Sequence, residues 1–301
     1  MNMVLLNMKK ILLKFIFSLN LVVILLSWWA ISGQQLVANN DMAKTMVILS
    51  RICGLLAVYL ILVQLLFIGR VKWIEKVFGL DRLANFHHWL GFGAIVLLVS
   101  HFILLVFGYA RIYGISWWSQ IVTFLGSGEE LLPAMFALLL FLAVVFGSLS
   151  FVRRRVKYEK WYYLHLFSYL AIILAFGHQI ELGYDLSNNN LFALYWVILY
   201  LFVGINFFYY RFIWQLRLFQ KHKFYVEKII PETNDTFSIY IGGKDIEQFI
   251  FLPGQFASFR FLNKKFWKQS HPYSFSNLPG NKYLRITVKA LGDGSNDLRN
   301  I

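Results

Sequence analysis

Four histidines lie in or beside long apolar stretches of this 301-residue chain: His87, His101, His165 and His178. Ionisable side chains are costly inside a bilayer, so they point to function. His87 and His101, on one stretch, are 14 residues apart, and His165 and His178, on another, are 13 residues apart. In a helix these spacings correspond to rises of about 21 and 20 Å. Matching His87 with His165 and His101 with His178 predicts two bis-imidazole sites, the ligand set of two b-type haems.

Helix geometry chooses between the adjacent histidines His87 and His88. Fourteen residues return within about 40° of the same helix face, whereas thirteen leave an offset of about 140°, which favours His87 as the ligand. The same offset counts against His165 with His178, and helix tilt or a distortion near Gly177 would be needed. The single cysteine, Cys53, cannot alone hold zinc or an iron–sulfur cluster, so any metal depends on histidine.

The composition indicates the elements that must position these histidines. Of the residues, 58% are hydrophobic, 19% aromatic and only 15% charged, which excludes a disordered chain and an ordinary soluble enzyme. Six apolar stretches are long enough to cross a bilayer as helices, at about 11–31, 46–69, 89–110, 131–152, 161–180 and 189–210. The sequence therefore predicts an all-α six-helix membrane bundle that contacts the lipid bilayer.

The loops between these stretches alternate in charge. Sixteen basic residues lie at the N-terminus, in loops two and four and after stretch six, against Lys44 and Arg111 alone in the other loops. Cytoplasmic loops carry this excess, so we predict a multi-pass cell-membrane protein with both termini in the cytoplasm. The net charge of +14 is thereby explained without nucleic acid. A signal peptide is an alternative reading of the first stretch, which follows a basic start.

The pattern changes after about residue 221. Apolar runs shorten to strand length, as in FSIYI and YLRITVKAL, and turn residues such as GGKD and NLPGN separate them. We predict two domains: a six-helix transmembrane di-haem domain at 1–220, and a small cytoplasmic antiparallel β-barrel at 221–301, incomplete at its C-terminus.

Two segments carry a family resemblance. FHHWLG-x9-H (Phe86 to His101) and WYYLHLFSYLAIILAFGH (Trp161 to His178) resemble the ferric-reductase-like transmembrane domain of NADPH oxidases and membrane ferric reductases. The resemblance implies histidine ligands on helices three and five and a cytoplasmic flavin domain. Leu105 is a departure, because some oxidases carry an extra histidine there.

The C-terminal motifs resemble ferredoxin-reductase-type FAD domains. PGQF (253–256), HPYSFSN (271–277) and VKALGDGS (288–295) occur in the family's order. The resemblance implies that the HPYS residues His271, Pro272, Tyr273 and Ser274 line the isoalloxazine, with Tyr273 on the ring and Ser274 donating a hydrogen bond. It also implies that Gly292 and Ser295 cradle the pyrophosphate beside Lys289, and a Gly-rich turn opening a helix suits an anion.

Family members continue into a nucleotide-binding domain, and this sequence has no G-x-G-x-x-G motif. We therefore expect the NAD(P)H site in a further domain or on another subunit. The resemblance implies that electrons pass from NAD(P)H through FAD and two haems to a small acceptor outside. Dioxygen, giving superoxide, is the preferred acceptor, and ferric iron is the alternative. A haem-bearing subunit of a larger complex and a channel with a histidine proton relay are further alternatives.

Basic residues at two further places in the sequence suggest functional roles. Arg51 lies near the outer end of helix two, and helices two to four offer no carboxylate in their outer halves, so we predict that it belongs to the outer haem site, where haem propionates would pair with it. Simple snorkelling is the alternative. The basic run from Arg153 to Lys160 is either a topology anchor or a docking surface for the flavin domain.

Overall fold

The computed structural model describes residues 3–38, 40–128, 131–252, 254–263, 266, 270–291 and 293–300. The chain divides into two compact units, residues 1–211 and residues 212–301. The first is helical and the second contains the strands, so each unit is treated by itself.

The helical unit contains long apolar helices joined by short ones. The long helices are α1 (Met3–Trp28), α3 (Met42–Ile68), α5 (Leu80–Tyr113), α7 (Leu132–Ser148), α9 (Tyr158–Glu181) and α11 (Asn190–Phe208). The short ones are α2 (Gln35–Ala38), α4 (Lys72–Phe78), α6 (Trp117–Gly126), α8 (Ser150–Arg153) and α10 (Tyr184–Ser187). π-helical turns at Trp29–Gly33 and Tyr209–Ile213 extend α1 and α11.

Within the described ranges, five helices are long and apolar enough to cross a membrane. The sixth predicted crossing, α7, is apolar but only 17 residues long. That length corresponds to about 25 Å, at the lower limit for a crossing. Five crossings are thus assigned by length, and the sixth predicted stretch is present as a shorter helix.

Neighbouring long helices run antiparallel, and small residues let them approach. Gly108 on α5 lies against α3, where an added Cβ would come within 2.7 Å of Val47. Gly147 on α7 likewise accommodates the side chain of Leu164 on α9. Helix α1 joins this bundle, since the Tyr59 hydroxyl donates to the Phe17 carbonyl at 2.6 Å. Small residues at such interfaces are how membrane helices pack closely.

Helices α5 and α9 run parallel to one another, because His87 contacts His165 near their beginnings and His101 neighbours His178 nearer their ends. We call the end of the bundle where α5 and α9 begin the proximal end, and the end where they finish the distal end. Helix α3 contributes the largest share of the buried core of this unit, and α1 and α11 pack around it. Trp196 of α11 and Leu62 of α3 are among its fully buried side chains.

The second unit starts with α12 (Trp214–His222) and continues into strands. β1 (Tyr225–Pro231), β2 (Thr236–Gly242) and β5 (Leu284–Lys289) form an antiparallel sheet in the order β1-β2-β5. β3 (Phe256–Phe259) and β4 (His271–Ser274) form a second antiparallel pair. A single bridge between Phe275 and Ile286 connects the two. A helical turn, α13 (Asp293–Asp297), follows β5.

The predicted small antiparallel sheet domain is confirmed, and in the described residues its strands do not close into a barrel. The strands remain as two small sheets over a shared core that includes Phe237, Ile239, Phe275 and Ile286. Alternating burial on β5 places one face of that strand in the core, whereas β2, the central strand of its sheet, is buried along most of its length.

Candidate functional site

The proximal histidine pair lies between the beginnings of α5 and α9. The ring centroids of His87 and His165 are 5.9 Å apart, with an angle of 68° between the ring planes. Metal–imidazole bonds of about 2 Å on each side would place two ligating nitrogens about 4 Å apart, with the centroids somewhat further. Both Nδ1 atoms are buried without a hydrogen-bond partner among the described residues. The pair therefore fits one iron held from two helices.

His88 lies outside this pair. Its side chain is exposed, and its ring meets Trp89 edge-on at 5.6 Å between centroids. The structure thus brings His87, and not His88, against His165, as the 14-residue spacing predicts.

Aromatic rings and one arginine surround the proximal pair. The Trp161 ring lies 5.3 Å from the His165 ring, and its Nε1 donates to Ser148 Oγ at 3.2 Å. The Arg153 guanidinium stacks over Trp161 at 4.7 Å and over Tyr158 at 5.5 Å. Arg153 is half-buried by these contacts, whereas the next two arginines of the basic run are exposed. One cation of that run is therefore placed beside a candidate ligand.

The distal pair has a hydrogen bond that orients one ring. His101 Nδ1 lies 2.7 Å from the carbonyl oxygen of Ser50 on α3, so Nδ1 carries the proton and donates it. Nε2 is left with its lone pair free, which is the tautomer that a metal ligand needs. Gly54, one turn further along α3, makes room for the ring, because a Cβ there would lie 2.9 Å from Nδ1.

His178 is the other member of the distal pair. His101 is its electrostatic neighbour, and its ring also lies close to the backbone carbonyl of Ala175, one turn earlier on α9. The adjacent Gln179 is fixed by α11, since its Oε1 accepts hydrogen bonds of 3.0 Å from Trp196 Nε1 and from the Tyr200 hydroxyl. These contacts set the rotation of α9 at this level.

Helix α9 is continuous from Tyr158 to Glu181. The distortion near Gly177 that the 13-residue spacing suggested is absent, and that glycine has open space around it.

Arg51 takes part in a buried polar cluster at the distal end. Its Nη1 donates to Ser32 Oγ at 3.0 Å, and its guanidinium lies 4.0 Å from the centre of the Tyr184 ring. Asp185 is only 3% exposed, accepts a hydrogen bond from Ser32 and interacts electrostatically with Arg51. Burial raises the pKa of Asp185, while Ser32 and Arg51 oppose that rise.

The sequence has no carboxylate in the outer halves of helices two to four, but α10, which follows α9, supplies Asp185. Arg51 therefore has an anionic neighbour within the protein, and haem propionates are not needed to explain its burial.

A purely protein-bound metal centre has no counterpart in the described ranges, where no group of three or more His, Cys, Asp or Glu side chains converges. Two imidazoles per site are too few for zinc or a non-haem iron. They are sufficient where a porphyrin supplies the remaining four nitrogens. The donor set therefore fits haem better than a bare ion.

The HPYS residues form β4 in the second unit. His271 and Tyr273 share the half-buried face with stacked rings 6.2 Å apart, whereas Pro272 and Ser274 are exposed on the other face. Burial lowers the pKa of His271 and raises that of Tyr273, so both rings are neutral near pH 7. Tyr273 and Ser274 thus point to opposite sides of the strand.

Lys289 and Ser295, which we expect near a pyrophosphate, lie in two different elements. Lys289 ends β5 and forms an exposed ion pair with Asp235, with Nζ 3.4 Å from Oδ2. The Ser295 hydroxyl in α13 accepts a hydrogen bond from the backbone N–H of Leu291 at 3.0 Å. Gly292, and Pro253 of the PGQF motif, lie outside the described residues.

Sequence reasoning missed the contacts that hold the segment after β4. Arg285 on β5 donates from Nη2 to the Ser276 carbonyl at 2.6 Å and from Nε to its hydroxyl at 3.1 Å. Asn277 Oδ1 accepts from the Arg285 backbone N–H at 3.0 Å. The SFSN letters after HPY were the available signal, but their partner on β5 depends on strand pairing.

Comparison with known protein families gives two matches. Residues 53–176 match the ferric reductase like transmembrane component, and residues 219–301 match an FAD-binding domain. The first range contains three of the four histidines and ends two residues before His178. The second contains the HPYS strand and the GDGS turn. A search of curated proteins finds no match.

Proposed function

From the premise that this chain joins a ferric reductase-like transmembrane domain to an FAD-binding domain, the architecture of ferric reductases and NADPH oxidases, we propose that it carries electrons across a membrane. Electrons from NAD(P)H reduce FAD, and they then pass one at a time through two b-type haems to a small acceptor. The single observation that carries this proposal is the presence of two histidine pairs at two levels of the same two helices.

Each pair would hold one haem between α5 and α9. His87 and His165 would ligate the proximal haem, and His101 and His178 the distal one. Haem supplies one-electron chemistry, and the protein tunes it through axial ligands and burial. The contact from His101 to the Ser50 carbonyl keeps Nε2 free for iron and makes it a better donor.

In the second unit, β4 and the turn after β5 would hold FAD. Tyr273 would contact the isoalloxazine, Ser274 would donate a hydrogen bond to it, and His271 and Pro272 would complete this edge of the site. Gly292, Ser295 and Lys289 would receive the pyrophosphate. The pinning of the following segment by Arg285 supports a fixed position for β4.

Charge distribution supports an orientation for the bundle. The proximal end carries the basic loops that precede α5 and α9, and basic loops stay in the cytoplasm. We therefore place the proximal end and both termini in the cytoplasm, and the distal end outside. The NAD(P)H site belongs to a further domain or subunit.

Dioxygen is our first candidate for the acceptor, with superoxide as product. Arg51 supports it, because a guanidinium near the distal pair would stabilise an anion that forms there by one-electron transfer. Ferric iron is the second candidate, and the description of the matching transmembrane family favours it. In a larger complex, the chain would serve as the haem-bearing electron-transfer subunit.

A reduced-minus-oxidised visible spectrum of the purified chain, with flavin fluorescence from the same sample, tests the proposal. We expect a low-spin b-type haem spectrum with two haems per chain, together with bound FAD. A protein without haem would contradict the electron path. A single haem would contradict the pairing of the four histidines.

The acceptor is tested separately on protein reduced with dithionite and freed of excess reductant. Haem reoxidation is followed after addition of air-saturated buffer or of anaerobic ferric citrate. Faster reoxidation by oxygen, with superoxide detected, supports the oxidase. Faster anaerobic reoxidation by ferric citrate supports the ferric reductase.

A further inference from the structure

A cleft of about 420 Å³ opens at the distal end of the bundle, between α2, the first turns of α3 and the end of α5. This volume lies in the range of small-molecule sites. Its polar lining comes from Lys44, Arg51, Gln35 and Tyr109, and its apolar lining includes Val47 and Ile112. Two cations and two hydrogen-bonding groups therefore face one cavity.

Lys44 is an exposed cation that lines the cleft. Its side chain is exposed, and no hydrogen bond or ion pair joins it to any residue that the structure describes. Arg111 lies at the same level, with Nη1 3.4 Å from the thioether sulfur of Met42 at the start of α3. A thioether is a weak, neutral acceptor, so this contact does not neutralise the arginine's charge. The two basic residues of the distal loops thus lie close to the cleft that Arg51 also lines.

Arg51 forms the inner wall of the cleft. Its one short side-chain hydrogen bond goes to Ser32, and a guanidinium has five N–H donors, so others remain for a ligand. Asp185 is the nearby anion, and burial raises the pKa of its carboxyl. Asp41, which caps α3 by accepting from the Ala43 N–H, and the exposed Glu181 at the end of α9 are further carboxylates at the distal end. Of the described residues that line the cleft, two are cationic and none carries a carboxylate.

From this geometry we infer that the cleft binds a small multivalent anion bearing carboxylate or phosphate groups. A guanidinium pairs with such groups through two parallel hydrogen bonds, and a lysine ammonium adds a mobile point charge. The Gln35 amide and the Tyr109 hydroxyl add neutral donors. The ligand's source is either a free anion or the headgroup of an anionic lipid, because both present this chemistry.

This site does not depend on electron transfer, so its test uses the oxidised protein without any electron donor. Full-length protein is placed in phosphatidylcholine nanodiscs, and binding of citrate and of inorganic phosphate is measured by calorimetry at constant ionic strength. A parallel sample in nanodiscs with added phosphatidylglycerol is examined by native mass spectrometry for retained lipid. Failure here would leave the proposed electron path untouched.

The variants are Lys44→Gln, Arg111→Gln and Arg51→Gln, and Lys76→Gln is the matched control. Lys76 is an exposed lysine at the proximal end, so its loss changes the net charge by the same amount. Lys44 and Arg111 are exposed, so their substitution leaves the packing of the bundle intact even if Arg51→Gln does not fold. Charge-assisted hydrogen bonds of this kind are worth about tenfold or more in affinity.

Saturable binding of citrate or phosphate that weakens about tenfold in Lys44→Gln and stays unchanged in Lys76→Gln would support a free-anion site. Phosphatidylglycerol retention that is lost in Lys44→Gln, without binding of either soluble anion, would support the lipid headgroup. No binding of any of the three probes, or equal weakening in Lys76→Gln, would overturn the inference.

Discussion

At the distal pair, the His101 ring is held by the Ser50 carbonyl on α3, and Gly54 leaves room for it. At the proximal pair, neither Nδ1 has a partner among the described residues, and His165 rests against the indole of Trp161. The two pairs lie on the same two helices, but different contacts orient their histidine rings. One is fixed by a hydrogen bond to a neighbouring helix, and the other by aromatic packing.

This difference predicts that the two pairs would tune the potential of a bound metal differently. A hydrogen bond to a ligating imidazole fixes its tautomer and raises its basicity, which favours the oxidised metal. Aromatic packing positions a ring without that effect. In the proposed assignment all four ligands are histidines, and we expect the two haems to differ in potential through the surroundings of those ligands.

The largest expected effect is the loss of one haem at a time. His101→Ala or His178→Ala should remove the distal haem and leave the proximal one bound, while His87→Ala or His165→Ala should do the reverse, because each iron needs both imidazoles. Haem content per chain and the reduced spectrum measure this. His88→Ala is the control and should keep both haems, since its ring is exposed. Two haems retained in the His101→Ala, His178→Ala double variant would refute the assignment.

The next effect sharpens the comparison at Gly54. In Gly54→Ala, the new Cβ would meet the His101 ring at 2.9 Å and displace it from the Ser50 carbonyl. Loss of such an orienting contact typically costs 10- to 100-fold in metal affinity, so we expect about that loss for the distal haem only. Haem retention during dilution measures it.

Gly177→Ala is the matched control for that variant, because this glycine lies beside His178 in open space on a regular helix. It should bind both haems as the wild type does. Equal distal-haem affinity in the two variants would mean that the fit of His101 against α3 is unimportant.

The 14-residue spacing predicts that His87, and not His88, lies beside His165, and the structure brings those two rings together. The 13-residue spacing gives no such support for His165 with His178, and the assignment of four haem ligands stays a prediction. Gly54, Ser32 and Asp185 could not be assigned from sequence, since each acts through a helix that is distant along the chain. The strand segments were recognisable from their short apolar runs, but barrel closure depends on pairings that local patterns do not determine. The apolar stretch 131–152 was expected to form one long helix, but α7 ends at Ser148 after 17 residues because the backbone of Leu149 is extended.

Arg51 tests whether the distal site has chemistry that the proximal one lacks. Arg51→Ala should lower acceptor turnover by at least about tenfold, because a guanidinium that stabilises a developing anion is lost. Both haems and FAD should stay bound, and the proximal haem should still be reduced. The variant also leaves Asp185 buried beside no cation, so the Arg51→Gln, Asp185→Asn pair separates catalysis from folding. Wild-type turnover and distal-haem potential in a folded variant would mean that Arg51 only anchors α3.

The smallest expected effect concerns Arg153 at the proximal pair. Its stacking on Trp161 and Tyr158 is worth about 0.5–1 kcal/mol as a cation–π contact, so Arg153→Ala should shift the proximal haem potential slightly and leave the distal one unchanged. Redox titration followed at the two haem bands measures this. Arg154 and Arg155 are exposed, and reversing their charges should instead slow flavin-to-haem transfer if the basic run is a docking surface. Unchanged flavin-to-haem transfer in correctly inserted protein would leave membrane topology as the only role of Arg154 and Arg155. An unchanged proximal haem potential in Arg153→Ala would show that the stacked guanidinium does not act on the proximal histidine pair.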